Sequence, residues 1–376
     1  MSEPEAPGVL IKAMSSIPRE ITGLPTSTAA VVGTFQSGPS NEPVTLESTL
    51  DLQENFGDPG FGAATSIAHF FLNGGNKCLA VRVTTEAGNH QMLRAVKRAT
   101  RALEDAASFN LLCLPAASDV DKVAVGEVIA EAVDLCSRKR AFLLLDSPPA
   151  IKGPADLLAW LNNNSGLRHP NVALYFPWLK IVDTQNTLQT QAVPPSGAVA
   201  GLIARVDATR GVWKAPAGSE ANLDGVSLEG SLSDHDSNLL NGNGVNSLRQ
   251  FPDAGVVVWG ARTLSSDPDW RYVNIRRLAL YLEDSLDNGL QWTDFEPNNE
   301  QLWKVLRRAV EQFLYRLFIA GAFQGNKPEQ AYFVKCDRTT MTQNDIDNGR
   351  CIALVGFAAV KPAEFVILRI VRSTLT

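Results

Sequence analysis

The chain has 376 residues, 45% of them hydrophobic and 20% charged, which is enough for at least one large core and suggests two or three domains. Its formal net charge of −6 and pI near 5.4 exclude a nucleic-acid binder that works by bulk electrostatics, because phosphate binding calls for a basic face. No apolar run approaches the roughly 20 residues that cross a bilayer, and the acidic, proline-containing start Met1–Pro7 is the opposite of a secretory signal, so folding in the cytoplasm without membrane insertion is expected.

Residues 1–20 carry no helix signal. Val9, Leu10 and Ile11 form a short extended run, and Pro4, Pro7 and Pro18 discourage regular structure around it. From Thr26 an alternating pattern begins. Strands are predicted at Ala29–Phe35, Cys78–Val83, Asn110–Leu114, Ala141–Leu145 and Asn171–Phe176, with helices at Glu47–Phe56, Ala63–Leu72, Asn89–Glu104, Asp121–Cys136 and Pro154–Leu161. Strands separated by helical stretches of about 10 to 15 residues imply a parallel sheet with crossover helices. Pro194–Arg210 reads as a helix with Ala198, Leu202, Ile203 and Val206 on one side. Residues 219–246 are rich in Asp, Asn, Ser and Gly, a connector composition with at most one short helical turn.

Gly255–Gly260 is an apolar run between glycines, read as a buried strand that opens the last unit. Asp267 is placed as the N-cap of a helix with Pro268 at its first position, running to Gly289 through Ile275, Leu278, Leu282 and Leu286. The next helix starts after Pro297 and carries Leu302, Leu306, Val310, Phe313 and Leu317 on one face. Outside that stripe Lys304, Arg307, Arg308 and Arg316 give a basic side, with Arg307 and Glu311 placed as an i,i+4 pair. The acidic segment Asp345–Asp347 reads as a helical turn capped by Thr342. Strands are predicted at Ala331–Cys336, Cys351–Val360 and Glu364–Arg372. The last sets Phe365, Ile367 and Val371 on one face and Val366, Leu368 and Ile370 on the other, so burial on both faces is expected. Such a terminal strand must be central in its own sheet or covered by a partner.

No catalytic or ligand-binding pattern is assembled. His69, His90, His169 and His235 never stand at i,i+4 spacing and no CxxC occurs, so no metal is expected. Ser196–Gly197 follows Pro195, which fits a helix start rather than a nucleophile elbow. Asn241–Val245 lacks the strand and helix that flank a dinucleotide loop, and Asp345–Gly349 lacks the bidentate glutamate of a calcium loop. The five cysteines are odd in number with no close pair and read as buried reduced thiols. No catalytic residue and no cofactor is assigned.

The wording of the chain supplies what the chemistry does not. GFGAATSIAHFFLNGGNKCLAVRV (Gly60–Val83), ATRGVWKAPAG (Ala208–Gly218), WGARTL (Trp259–Leu264), WRYVNIRRL (Trp270–Leu278), GLQWTDFEPN (Gly289–Asn298), GAFQG (Gly321–Gly325), AYFVKCD (Ala331–Asp337) and KPAEFV (Lys361–Val366) occur in order. Together they resemble the contractile tail sheath proteins of phage tails, R-type pyocins and extracellular injection systems. The resemblance implies an α/β peripheral domain plus an α+β inner, C-terminal sheath domain, with extended N- and C-terminal arms. It places an arm at 1–20, the peripheral domain at 21–218, a connector at 219–247, the tube-facing inner domain at 248–361 and a C-terminal strand at 362–376. It further implies a structural, non-enzymatic subunit that stacks in hexameric rings around an inner tube, between a baseplate and a terminator or cap. Contraction from a metastable extended state then drives the tube. Assembly would occur in the bacterial cytoplasm and the particle would be extracellular after release. The arm residues Val9, Leu10 and Ile11 would pair beside a neighbour's Phe365, Val366, Ile367, Leu368 and Ile370. Lys304, Arg307 and Arg308, or Asp345 and Asp347, are the candidates to face the tube. Two other readings stand beside this one: a cytosolic α/β enzyme with its site at the carboxyl ends of the N-terminal strands, and a baseplate or terminator protein sharing the inner domain.

Overall fold

The computed structural model describes residues 20–84, 89–115, 117, 120, 125–182, 190–360 and 365–373; the expected arm strand Val9–Ile11 and the break at Pro362 lie outside them. The first sheet grows from strands that are apolar on both faces. In β1 (Ala29–Gly33), Ala29 and Val31 face one helical layer while Ala30 and Val32 face the other, as in a parallel strand covered from both sides. β2 (Pro43–Leu46), α1 (Thr49–Phe56), α2 (Ala63–Leu72) and β3 (Cys78–Arg82) follow. α1 starts where the Ser48 hydroxyl accepts from the Asp51 amide at 3.1 Å, satisfying an otherwise orphaned donor.

The strand–helix rhythm continues through α3 (Asn89–Arg101), β4 (Leu111–Cys113), α4 (Val125–Arg138), β5 (Phe142–Asp146), α5 (Pro154–Asn163) and β6 (Val172–Phe176). The parallel strands lie in the order β3-β1-β4-β5-β6, with α1 and α2 packed on one face and α3, α4 and α5 on the other. The expected parallel sheet with crossover helices is therefore present, and the chain is mixed α/β.

After β7 (Leu179–Val182) and β8 (Thr190–Val193) comes α6 (Ser196–Arg210), which is buried almost all round rather than on one side. The reason is close approach to α2: a Cβ on Gly197 would lie 2.2 Å from the Ser66 carbonyl oxygen, and one on Gly201 2.3 Å from that of Phe70. Two glycines let the backbones touch, so positions that would otherwise face water are covered.

Residues 219–247 are not a bare connector. They contain β9 (Asn222–Leu223), β10 (Ser227–Leu228), α7 (Asp234–Gly242) and the start of β11 (Val245–Phe251), which turns back as β12 (Gly255–Val258). β11 joins β6 in parallel, and β12 and β9 extend the sheet antiparallel to nine strands. The Gly255 strand thus closes the first unit instead of opening the last. Leu248, Val256, Val257 and Val258 sit in the same core as Ala29 and Val31. An apolar run between glycines specifies a strand but not its sheet.

The remainder comprises α8 (Val273–Gly289), α9 (Glu300–Ile319), α10 (Pro328–Ala331), β13 (Tyr332–Lys335), α11 (Gln343–Asp347), β14 (Arg350–Ala358) and β15 (Phe365–Ser373). Asp267 does not cap α8. Its carboxylate accepts from the Asp269 amide at 2.9 Å and caps a separate 3-10 turn, Pro268–Trp270. The chain leaves that turn because the Thr263 amide takes the Arg271 carbonyl at 2.9 Å, and α8 begins only after Tyr272. α8, α9 and the antiparallel sheet β13-β14-β15 enclose a separate apolar cluster, which includes Leu282, Leu306, Phe313 and Phe357. Ile21, expected to begin the first domain, is buried in this second core.

Candidate assembly interface

Among the described residues β15 is an edge, so of the two expected arrangements it is not central in its own sheet. Among the described residues it pairs only with β14, in register from Ala358↔Phe365 to Arg350↔Ser373. Arg369 is exposed, and Val371 on the same face is 46% exposed. An edge strand presents a row of backbone donors and acceptors free for another strand.

The N-terminal segment is rooted on the same unit. Arg316, in the last turn of α9, donates to the Glu20 carboxylate and to the Ile21 carbonyl. Ile21 is 1% exposed and lies so close to α8 that a Cβ on Gly289 would stand 2.7 Å from its Cγ2. The Leu24 amide donates to Ser285 Oγ at 3.1 Å. Residues 20–24 are therefore held against α8 and α9, in the unit that carries β15. Arg316 belongs to this anchorage, not to a free basic face.

Of the charged candidates on α9, Lys304 and Arg308 are exposed, and among the described residues neither has an ion-pair partner. Arg307 is half-buried and pairs with Glu311 at 3.7 Å, as the i,i+4 spacing predicts. Asp345 is occupied: its carboxylate accepts from the Thr342 hydroxyl at 2.6 Å and amide at 3.0 Å, and from Arg350 Nε at 2.9 Å. The Thr342 bonds hold its pKa below the ordinary value. Asp347 accepts from Gln343 Nε2 at 2.8 Å. Asn298, just before α9, donates to the carbonyls of Ile346 and Arg350 at 3.4 and 3.3 Å, so the acidic turn sits beside the start of the basic helix.

The junction between the two units rests on charges that inspection of the sequence missed. Arg277 of α8 makes a bidentate pair with Asp207 of α6 at 3.0 and 2.6 Å, and both side chains are almost wholly buried. Thr26 completes the site, its hydroxyl donating to Asp207 at 2.6 Å and its carbonyl accepting from Arg277 at 2.9 Å. Arg140 reaches Asp284 and Asp287 at 3.3 and 3.2 Å, and Arg276 reaches Asn171 at 2.6 Å. One signal was available: Arg277 lies four residues after Val273 and three before Leu280, a charge on an apolar helical stripe.

At the carboxyl ends of β4 and β5, where a doubly wound enzyme keeps its site, Asp146 accepts from the Ser196 amide at 2.8 Å and hydroxyl at 2.6 Å. The carboxylate there caps α6. The adjoining cavity, between Pro115, Ile129, Asp146, Pro148 and Trp160, is about 20 Å³, room for one water rather than a substrate.

Comparison with known proteins agrees with this structural character. The phage tail sheath protein central domain matches residues 85–264, and the phage tail sheath C-terminal domain matches residues 265–372. A protein described as a prophage major tail sheath protein in Pseudomonas aeruginosa strain UCBPP-PA14 is 27% identical over 244 residues, covering 63% of this chain and 60% of its own length. The chain thus aligns with less than two thirds of that relative. The helical sheath of the anti-feeding prophage in its contracted state is 32% identical, with a TM-score of 0.76 over 98% of this chain and 99% of that one. The contracted sheath complex of PVC, an extracellular contractile injection system, is 29% identical, with a TM-score of 0.77 over 98% of both chains. These relatives are structural proteins rather than enzymes, and the chain belongs to the contractile tail sheath family.

Proposed function

We propose that the chain is the structural subunit of a contractile sheath. It polymerises with copies of itself as stacked six-membered rings around an inner tube and ends on baseplate and terminator proteins. Contraction from a metastable extended packing drives the tube through a target envelope. The observation that carries the reading is the pairing of two features on one unit: the edge that β15 presents among the described residues, and the Arg316-held residues Glu20 and Ile21. On this reading Val9, Leu10 and Ile11 of one subunit add to a neighbour's sheet beside Phe365, Val366, Ile367, Leu368 and Ile370. Such a contact is heterologous and does not close on itself, so it builds a helical array. We assign residues 1–20 to the arm and the α8–β15 unit to the inner, tube-facing layer, with Lys304 and Arg308 as exposed cations on α9. Assembly in the bacterial cytoplasm and release with the particle follow from the same reading.

Negative-stain microscopy of the purified full-length chain tests it. Rings or tubes are expected, and removal of Met1–Ile17 should abolish them while leaving the circular dichroism spectrum intact. A full-length chain that stays monomeric at high concentration would overturn the proposal.

A further inference from the structure

Cys336 and Cys351 are fifteen positions apart, yet their sulfurs lie 3.7 Å from one another inside the second core. Sequence spacing conceals the contact because the chain folds back after β13. The Asp337–Thr340 turn closes with Thr340 N to the Asp337 carbonyl at 3.0 Å, and Thr340 Oγ1 then donates to the Ile352 carbonyl at 2.8 Å. No comparable approach exists for the other three thiols. Cys78 on β3 and Cys113 on β4 are separated by β1, about 10 Å across two strand spacings. Cys136 on α4 lies on the opposite face of that sheet.

We propose that Cys336 and Cys351 form a reversible intrachain disulfide when the folded chain meets a peroxide. Forming the bond requires the sulfurs to close from 3.7 Å to the roughly 2.05 Å of an S–S bond. The two sulfurs share a hydrogen bond across this contact, and that bond lowers the Cys351 pKa, which makes Cys351 the attacking group. The Cys351 thiolate attacks one oxygen of hydrogen peroxide. The O–O bond breaks, hydroxide leaves and takes a proton to become water, and Cys351 becomes a sulfenic acid. The Cys336 sulfur, giving up its proton, then attacks the sulfenic sulfur and expels the hydroxyl as a second water. Two thiols and one peroxide yield one disulfide and two waters; each sulfur loses one electron and the peroxide gains both. Because both sulfurs are buried, the rate follows local opening of the β13–β14 pair. The bond ties the exit of β13 to β14 and closes the loop that carries α11 beside the start of α9. Oxidising surroundings would therefore stiffen this corner of the unit, while a reducing cytoplasm leaves it open. The chemistry is a property of the folded chain and stands whether or not the chain polymerises.

The test is peroxide treatment of the native full-length chain, followed by catalase, denaturation and alkylation. The expected product has lost two hydrogen atoms, takes two fewer alkyl labels than the five cysteines of the reduced chain, yields a linked Cys336–Cys351 peptide, and reverts with dithiothreitol. Cys336→Ala should instead accumulate a dimedone-reactive sulfenic acid on Cys351. Should the variant not fold, the peptide map of the unaltered chain decides alone. Five thiols still open to alkylation, a linkage through Cys78, Cys113 or Cys136, a bond between chains, or Cys351 oxidised to sulfinic acid without a linked peptide would each overturn the proposal.

Discussion

At the scale of single residues, two carboxylates, Asp345 and Asp146, each cap a helix start but in different surroundings. Thr342 and Asp345 form the capping box that their spacing predicts, because the motif closes within one turn. Asp146 is the contrary case. Its role depends on Ser196, fifty positions away, and on a sheet that removes it from water. Burial pushes its pKa up from 3.8 to about 7, and the two Ser196 hydrogen bonds only partly pull it back. The folded pKa lies above the unfolded one, so the folded state binds the proton more tightly. The stabilisation is complete below pH 3.8 and is lost as pH rises towards 7. Urea midpoints of the unaltered chain relative to Asp146→Asn should therefore fall between about pH 4 and 7 and level off above. A flat difference would mean that Asp146 stays ionised throughout.

At the scale of elements, periodicity found most helices and strands because each is specified by its own residues. It failed at choices between partners. The Gly255–Val258 strand could not reveal that it pairs with β11, nor could β15 reveal that it is an edge. α9 keeps an apolar stripe in the core and turns Lys304 and Arg308 outward. If this face meets an acidic tube surface, Lys304→Glu with Arg308→Glu should weaken co-sedimentation with preformed tubes by at least about tenfold, or some 1.4 kcal/mol. Self-assembly without the tube should persist. Unchanged co-sedimentation would move the tube contact elsewhere, with the Asp345–Asp347 turn as the remaining candidate.

At the scale of the whole molecule, two cores are joined through α8, whose Val273 and Leu280 pack in the first core, whose Leu278 and Leu282 pack in the second, and whose Arg277 pairs with Asp207 between them. Removing one partner of a buried pair strands the other's charge, at a cost of about 3–5 kcal/mol. Asp207→Ala should accordingly lower the urea midpoint and separate the unfolding of the two units, read by circular dichroism against tryptophan fluorescence. Asp207→Leu with Arg277→Met should recover most of the loss, because it removes both charges and keeps the apolar stripe continuous. A single variant as stable as the unaltered chain would show that the pair does not hold the units together.

The sequence by itself determined the mixed α/β class, most of the helical and strand segments, the Thr342 capping turn and the family, since these rest on local spacing and on ordered wording. Only the tertiary structure decided that residues 219–258 complete the first sheet, that Ile21 belongs to the second core, and that Arg277 meets Asp207. It also brought Cys336 to Cys351 and, among the described residues, set β15 at the edge of its sheet. Each of these depends on which distant segment fills a given face, and hydrophobic pattern states that a face will be covered without stating by what.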